Sequence, residues 1–196
     1  MKAGVVAVQG AVPEHLKVLQ TTMFNLGIEG QAIPVRSGED LDAVDCLIIP
    51  GGESTTISRL LRRFGLFDRI VQLGSEGLPM MGTCAGCILL AKEGDDGVSR
   101  TGTELLGLMD MAVERNAFGR QRESFEAPIE IKDMDTQFRA VFIRGPVISR
   151  VWGKCEVLAK HENKIVMARQ NNLLALAFHP ELSNDTRIHE MLLSLV

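Results

Sequence analysis

The chain has 196 residues, a net charge of −4, 45% hydrophobic residues and 23% charged residues. That length suits one domain spanning 1–196 with a full core, and the composition excludes global disorder. No basic block stands out beyond Arg59, Arg62 and Arg63, and no uncharged apolar stretch approaches the ~18 residues of a membrane span, so neither nucleic acid nor membrane is an expected partner. The N-terminal apolar run, Ala3 to Val8, is too short for a secretory signal, and the chain reads as cytoplasmic. Its four cysteines, Cys46, Cys84, Cys87 and Cys155, then read as thiols.

In chain order, Ala3 to Val8 is predicted as a buried strand. A helix follows from Pro13 to Leu26, with apolar residues at Leu16, Leu19, Met23 and Leu26 and Gly27 at its end. Strands are expected at Glu29 to Val35 and Cys46 to Ile49. Pro50-Gly51-Gly52 closes the second of these, and Ser54 or Thr55 caps a helix carrying Ile57, Leu60, Leu61 and Phe64. Leu78 to Met81 is a further short strand, and Ile88 to Ala91 looks like the start of a helix. This alternation argues for a mostly parallel sheet with helices on both faces. The stretch 93–104 reads as a mobile surface loop with no assigned role. Beyond it, strands are expected at Met111 to Glu114, Phe125 to Ile131, Ala140 to Ile143, Cys155 to Ala159, Ile165 to Ala168 and Leu173 to Phe178, then a helix from Asp185 to Leu195.

Gly82-Thr83-Cys84-Ala85-Gly86 is a G-x-C-x-G sequence between an apolar run and a helix. The pattern matches a nucleophile elbow, in which flanking glycines let the chain fold back tightly. The helix start would stabilise a thiolate, and the Ala85 N–H would face a developing oxyanion. Cys84 and Cys87 also form a C-x-x-C, which suggests thiol–disulfide chemistry. Zinc is less well supported, because no second C-x-x-C or C-x-x-H accompanies the pair. An acyl-transfer enzyme needs a histidine and a group to orient it, whereas a redox enzyme needs only the two thiols.

His179-Pro180-Glu181 follows the apolar run Leu173 to Phe178. Residues two apart on an extended chain share a face, so Glu181 can hold the tautomer of His179 while the other ring nitrogen meets a thiol. His179 joins Cys84 only if both strands run in the same direction. His15, His161 and His189 read as structural or solvated. Pro50-Gly51-Gly52-Glu53-Ser54-Thr55-Thr56 offers glycines and a helix start to an anion, but it lacks the lysine of a P-loop. A second oxyanion donor from this loop suits the cysteine elbow.

Together these blocks resemble the class I, triad-type glutamine amidotransferases. Val8-Gln9-Gly10-Ala11-Val12 with Glu14-His15, Pro50 to Thr56, Gly82 to Gly86, Glu114 to Gln121 with Ser124-Phe125, Phe142-Ile143-Arg144 and Phe178 to Leu182 are similar to the glutaminase subunits of pyridoxal 5′-phosphate synthase. The resemblance implies a three-layer, flavodoxin-like α/β domain with a smaller antiparallel β region. It implies a Cys84–His179–Glu181 triad that hydrolyses L-glutamine through a thioester, with the Gly52 and Ala85 N–H groups as the oxyanion hole. It places the substrate on Gly52, Glu53, Ser54, Arg115, Ile143 and Arg144. It makes Gln9 and Gly10 candidates for contact with a (β/α)₈-barrel synthase subunit in a large heteromeric complex, and it implies no cofactor and no metal. The alternatives are a glutaminase serving another synthase, such as imidazole glycerol phosphate synthase, a C-x-x-C oxidoreductase, and a non-catalytic interaction subunit.

Overall fold

The computed structural model describes residues 1–115 and 124–196. The first half alternates strand and helix: β1 (Lys2–Val6), α1 (Val12–Leu26), β2 (Gln31–Val35), α2 (Gly38–Asp42), β3 (Cys46–Ile49), α3 (Ser54–Arg63), α4 (Phe67–Glu76), β4 (Met80–Thr83) and α5 (Ala85–Leu90). Then come β5 (Ala91–Gly94), α6 (Asp96–Thr101) and β6 (Met109–Glu114). The remainder is strand-rich: β7 (Phe125–Ile129), β8 (Phe138–Phe142), β9 (Val147–Val151), β10 (Glu156–His161), β11 (Lys164–Gln170) and β12 (Leu173–Leu176). A 3₁₀ turn at Pro180–Leu182 and α7 (Arg187–Leu193) end the chain.

The main sheet runs β2-β1-β3-β4-β12-β11-β9-β6-β5, with β10 paired to β11. From β2 through β12 the neighbours are parallel. The pairings of β11 with β12, β10 and β9, and of β6 with β9, are antiparallel. β7 and β8 form a separate antiparallel pair. The expected class is therefore correct: a mostly parallel sheet, helices on both faces and a small antiparallel region.

The layers follow from alternation along each strand. In β3, Leu47 and Ile49 join a core that contains Ile57 and Leu61 of α3, Ile70 of α4 and Leu89 of α5. Cys46 and Ile48 face the other way, into a core with Leu19 and Met23 of α1, Ile188 and Leu192 of α7, and Phe138 and Phe142 of β8. A central strand buried on both faces explains why Cys46 to Ile49 is apolar without interruption.

Several expected elements differ in place or kind. The stretch 93–104 is not a loop throughout: it holds the end of β5 and all of α6, capped by the Asp95 carboxylate accepting from Val98 N at 2.9 Å and closed by Gly102 in the left-handed region. α3 is capped by Glu53, whose carboxylate accepts from Thr56 N at 2.9 Å, and neither Ser54 nor Thr55 does so. Those two residues lie inside the helix and face inward, with Thr55 Oγ1 2.8 Å from Thr103 Oγ1. α5 begins at Ala85, immediately after the cysteine, rather than near Ile88. α2, α4 and β9 are additional elements.

Candidate active site

Parallel pairing settles the condition on which the site depends. β4 pairs in parallel with both β3 and β12, in the registers Ile49↔Gly82 and Leu176↔Thr83. Three strand C-termini therefore share one sheet edge, where sites form in open α/β sheets. They deliver the Gly51–Gly52 loop, Cys84 and His179 to the same place.

Cys84 sits on a turn with φ 49° and ψ −99°, outside the region a non-glycine residue normally occupies. Its N–H donates to Leu176 O at 2.8 Å, and its carbonyl accepts from Ile88 N at 3.2 Å. The turn lies against β3 so closely that a Cβ at Gly86 would stand 2.0 Å from Ile49 O. Only glycine fits there, as the G-x-C-x-G pattern implies. The Cys84 side chain is 9% exposed, with Sγ 4.0 Å from Ile143 O.

His179 is anchored by its own N–H, which donates to Val141 O of β8 at 2.8 Å. The small antiparallel pair thus fixes the imidazole. Its Nδ1–H donates to Glu181 Oε1 at 2.7 Å, and Cys84 lines the same cleft as the ring. Glu181 lies in the 3₁₀ turn and its side chain is fully buried. Burial pushes the His179 imidazole down, but hydrogen bonds to Cys84 and Glu181, with the charge of Glu181, outweigh it and lift the ring to about 10.

The sign of that shift gives a pH prediction. A base whose folded value is raised contributes stability that is fully present below its ordinary 6.5 and is lost as pH rises towards about 10. Unfolding midpoints of the native chain and of His179→Asn should therefore differ most near pH 6 and converge by about pH 10.5. Denaturant titration across that range measures it, and a constant difference would show that the imidazole is not held as a cation.

A cleft of about 400 Å³ opens beside the cysteine. Gly52, Glu53, Ser54, Arg115, Ile143 and Arg144 all line it, with Cys84, Ala85 and His179. Ile88 and Pro146 line it too and went unmarked in the sequence, since apolar walls leave no motif. Arg115 is held from α6: its backbone N–H donates to Asp95 Oδ2 at 2.8 Å, and Nη1 donates to Thr101 Oγ1 at 3.0 Å. The stretch 93–104, assigned no role from sequence, thus positions a cleft residue. Arg115 Nη2 also reaches Glu53 Oε1 at 3.5 Å. Arg144 has φ 48° and forms no ion pair among the described residues. Asn116 to Gln121, the rest of that motif block, lie outside the described residues.

Gln9 and Gly10 brace the Gly51–Gly52 loop from within the chain. Gln9 Oε1 accepts from Glu53 N at 3.0 Å. Gly51 O accepts from Ala11 N at 3.1 Å, beside Gly10 at φ 114°. No peptide bond among the described residues is cis, so the Gly52 N–H points opposite to that carbonyl, away from Ala11.

The other histidines correct the sequence reading in part. His15 and His189 are fully buried, and His15 Nε2 lies 3.3 Å from Glu181 Oε2. His15 is therefore neither solvated nor remote from the site. His161 ends β10 and packs on Phe125 and Phe142. Cys87 is fully buried, and burial pushes its thiol well up, so it is a core residue of α5. Among the described residues no helix is long and apolar enough to cross a membrane.

Residues 5–196 match the SNO glutamine amidotransferase family. The chain is 54% identical to a pyridoxal 5′-phosphate synthase subunit PdxT of Archaeoglobus fulgidus, covering 100% of this chain and 98% of that one. It is 50% identical to the same-named subunit of Brevibacillus brevis, over 100% and 97%. A solved structure described as a glutamine amidotransferase superposes with a TM-score of 0.87 at 44% identity, covering 98% and 97% of the two chains. A chain of PurLQS from Thermotoga maritima has a TM-score of 0.68 at 15% identity, which is a likeness of fold alone.

Proposed function

The chain belongs to the SNO glutamine amidotransferase family, and on that premise we propose that it is the glutaminase subunit of a pyridoxal 5′-phosphate synthase, with residues 1–196 acting as one domain. The observation that carries the chemistry is the Cys84–His179–Glu181 constellation at the foot of the cleft. The thiol proton is carried by His179 as the imidazolium, and Cys84 Sγ attacks the side-chain amide carbon of L-glutamine. The tetrahedral oxyanion is met by the N–H groups of Ala85 and Gly52. Collapse breaks the C–N bond, and His179 returns the proton to the departing ammonia. Water, activated by the same imidazole, then hydrolyses the thioester to glutamate.

Substrate recognition follows from which cation is unengaged. Arg115 is committed to Thr101, Gly97 and Glu53. Arg144 keeps its guanidinium for the free α-carboxylate, a planar acceptor that suits a two-pronged donor. Glu53, rimming the same cleft, faces the α-ammonium. Gln9 and Gly10 support the oxyanion loop and also lie in the segment assigned to partner contact. A (β/α)₈-barrel synthase docked there would act directly on the loop that completes the oxyanion hole.

Glutamate release from glutamine, with and without a purified barrel synthase subunit, tests this. Release that rises on adding the synthase supports both the activity and the partner. No release in either case, with the synthase bound and active on free ammonia, overturns the glutaminase reading. Equal stimulation by an imidazole glycerol phosphate synthase subunit would move the assignment to that pathway.

A further inference from the structure

Behind the triad lies a second buried histidine pair that the mechanism above does not use. His15 on α1, His189 on α7 and Thr83 at the end of β4 are each fully buried. His15 Nδ1 is 3.2 Å from His189 Nε2, and His15 Nε2 is 3.2 Å from Thr83 Oγ1. The same Nε2 stands 3.3 Å from Glu181 Oε2. That oxygen is buried and has no partner in hydrogen-bond geometry among the described residues, so the His15 Nε2 contact is a close electrostatic approach.

The tautomer follows from both ends of the chain of contacts. A lone pair on His15 Nε2 would face a buried carboxylate oxygen at 3.3 Å, which is repulsive, so Nε2 carries the hydrogen. His15 Nδ1 is then an acceptor, and His189 Nε2–H donates to it. This leaves His189 Nδ1 bare, and Nδ1 is the ring atom without a partner among the described residues. A buried bare nitrogen costs less than a buried N–H with no acceptor, so the opposite tautomer is disfavoured at both rings. Burial, with His189 and His179 nearby, also holds His15 well below the ordinary imidazole value, so it is neutral. A neutral donor can fix the Glu181 carboxylate without competing with His179 for its charge.

We propose that His15 is a positioning residue of the glutaminase: its Nε2–H, set by the donor His189 and shared with Thr83, locks the far oxygen of Glu181 so that the near oxygen stays on His179. The inference rests on the reading of Cys84, His179 and Glu181 as the triad.

The direct readout is the His179 titration midpoint, followed by imidazole NMR on the full chain, beside kcat and KM of the synthase complex. In His15→Leu, which keeps the bulk and loses the donor, the midpoint should fall by about one pH unit or more. In the same variant kcat should fall about 10- to 100-fold with KM within about twofold. His15→Gln restores a donor and should recover most of both. His189→Leu, which frees the tautomer, should shift the midpoint the same way by less, and it decides the matter if His15→Leu does not fold. A midpoint unmoved in the folded donor-less variants, or equal losses for His15→Leu and His15→Gln, overturns the proposal. A native complex that releases no glutamate overturns the glutaminase reading instead, and the midpoint on the full chain still reports on His15.

Discussion

Cys84→Ala is expected to lower glutamine hydrolysis by the complex at least ~10³-fold while ammonia-dependent synthesis by the partner continues. The size follows from the role. Without Sγ there is no thioester, and the cleft, Ala85 and Arg144 can contribute only binding and oxyanion stabilisation. The variant should also drop the His179 midpoint from about 10, because the sulfur that favours the charged ring is gone. Cys84→Ser keeps an acceptor of similar reach for the imidazolium N–H but is a poorer nucleophile here, so it should retain more of the histidine shift than of the rate. Cys87→Ser separates this from thiol–disulfide exchange. Cys87 is wholly buried in the core beneath α5 and its thiol is pushed well up by burial, so exchange through it is unfavourable. Hydrolysis should survive Cys87→Ser at a cost in stability for burying a hydroxyl. Hydrolysis within tenfold of native in Cys84→Ala would remove the cysteine from the mechanism.

The cysteine half of the proposed site was legible in the sequence because strain leaves local marks. A chain that must turn back at Cys84 needs glycine at Gly82 and Gly86, and the sequence carries both. The strand Cys46–Ile49 was legible to the residue, since burial on two faces writes an unbroken apolar run. The histidine half was legible only conditionally. His179 and Glu181 share a face by spacing, but their meeting with Cys84 depends on β12 lying parallel to β4, a long-range pairing with no local signature. Helix ends misled where side chains had tertiary uses. Ser54 and Thr55 are better N-caps by type than Glu53, yet both are drawn inward, Thr55 onto Thr103, and the longer carboxylate caps instead. His15 stood in a block that carried the family resemblance, but its contacts were illegible for the same reason as the pairing of β12. Its partners are Thr83, Glu181 and His189, and His189 is 174 residues away. α6 was hidden by a glycine at its second position and a short, polar sequence, Asp96–Thr101, whose only signals are the Asp95 cap and Gly102.

Gly51→Ala is the second change expected to cost most, and it does so through space rather than backbone strain. Gly51 has no positive φ among the described glycines, so alanine can adopt its conformation. A Cβ there would lie 2.5 Å from His179 Cε1, 3.1 Å from Nδ1 and 3.3 Å from Cys84 Cβ. None of these can yield cheaply. His179 is tied to Glu181 at 2.7 Å and to Val141 O through its backbone, and Cys84 lies on a turn already packed against Ile49. The imidazole must move by about 1 Å, and a displacement of that size at a reacting group costs roughly 10²-fold in rate. Gly52 differs in kind. A Cβ there meets Gln9 Oε1 at 2.5 Å and Gly10 Cα at 3.2 Å, so Gly52→Ala would displace the Gln9 side chain, break its hydrogen bond to Glu53 N and act on the oxyanion loop rather than on His179. The expected result for Gly51→Ala is a kcat about 10²-fold down with a smaller change in KM, and a stability loss of about 1–3 kcal/mol from overpacking. Gly38→Ala is the matched control. It lies at the start of α2 with nothing within 4 Å of a Cβ, so it should leave kcat alone and stabilise the chain by about 0.4–1 kcal/mol. If Gly51→Ala kept kcat within about threefold of native, the imidazole would have room to move without losing its alignment, and the tight positioning of His179 against Cys84 could not be what sets the rate.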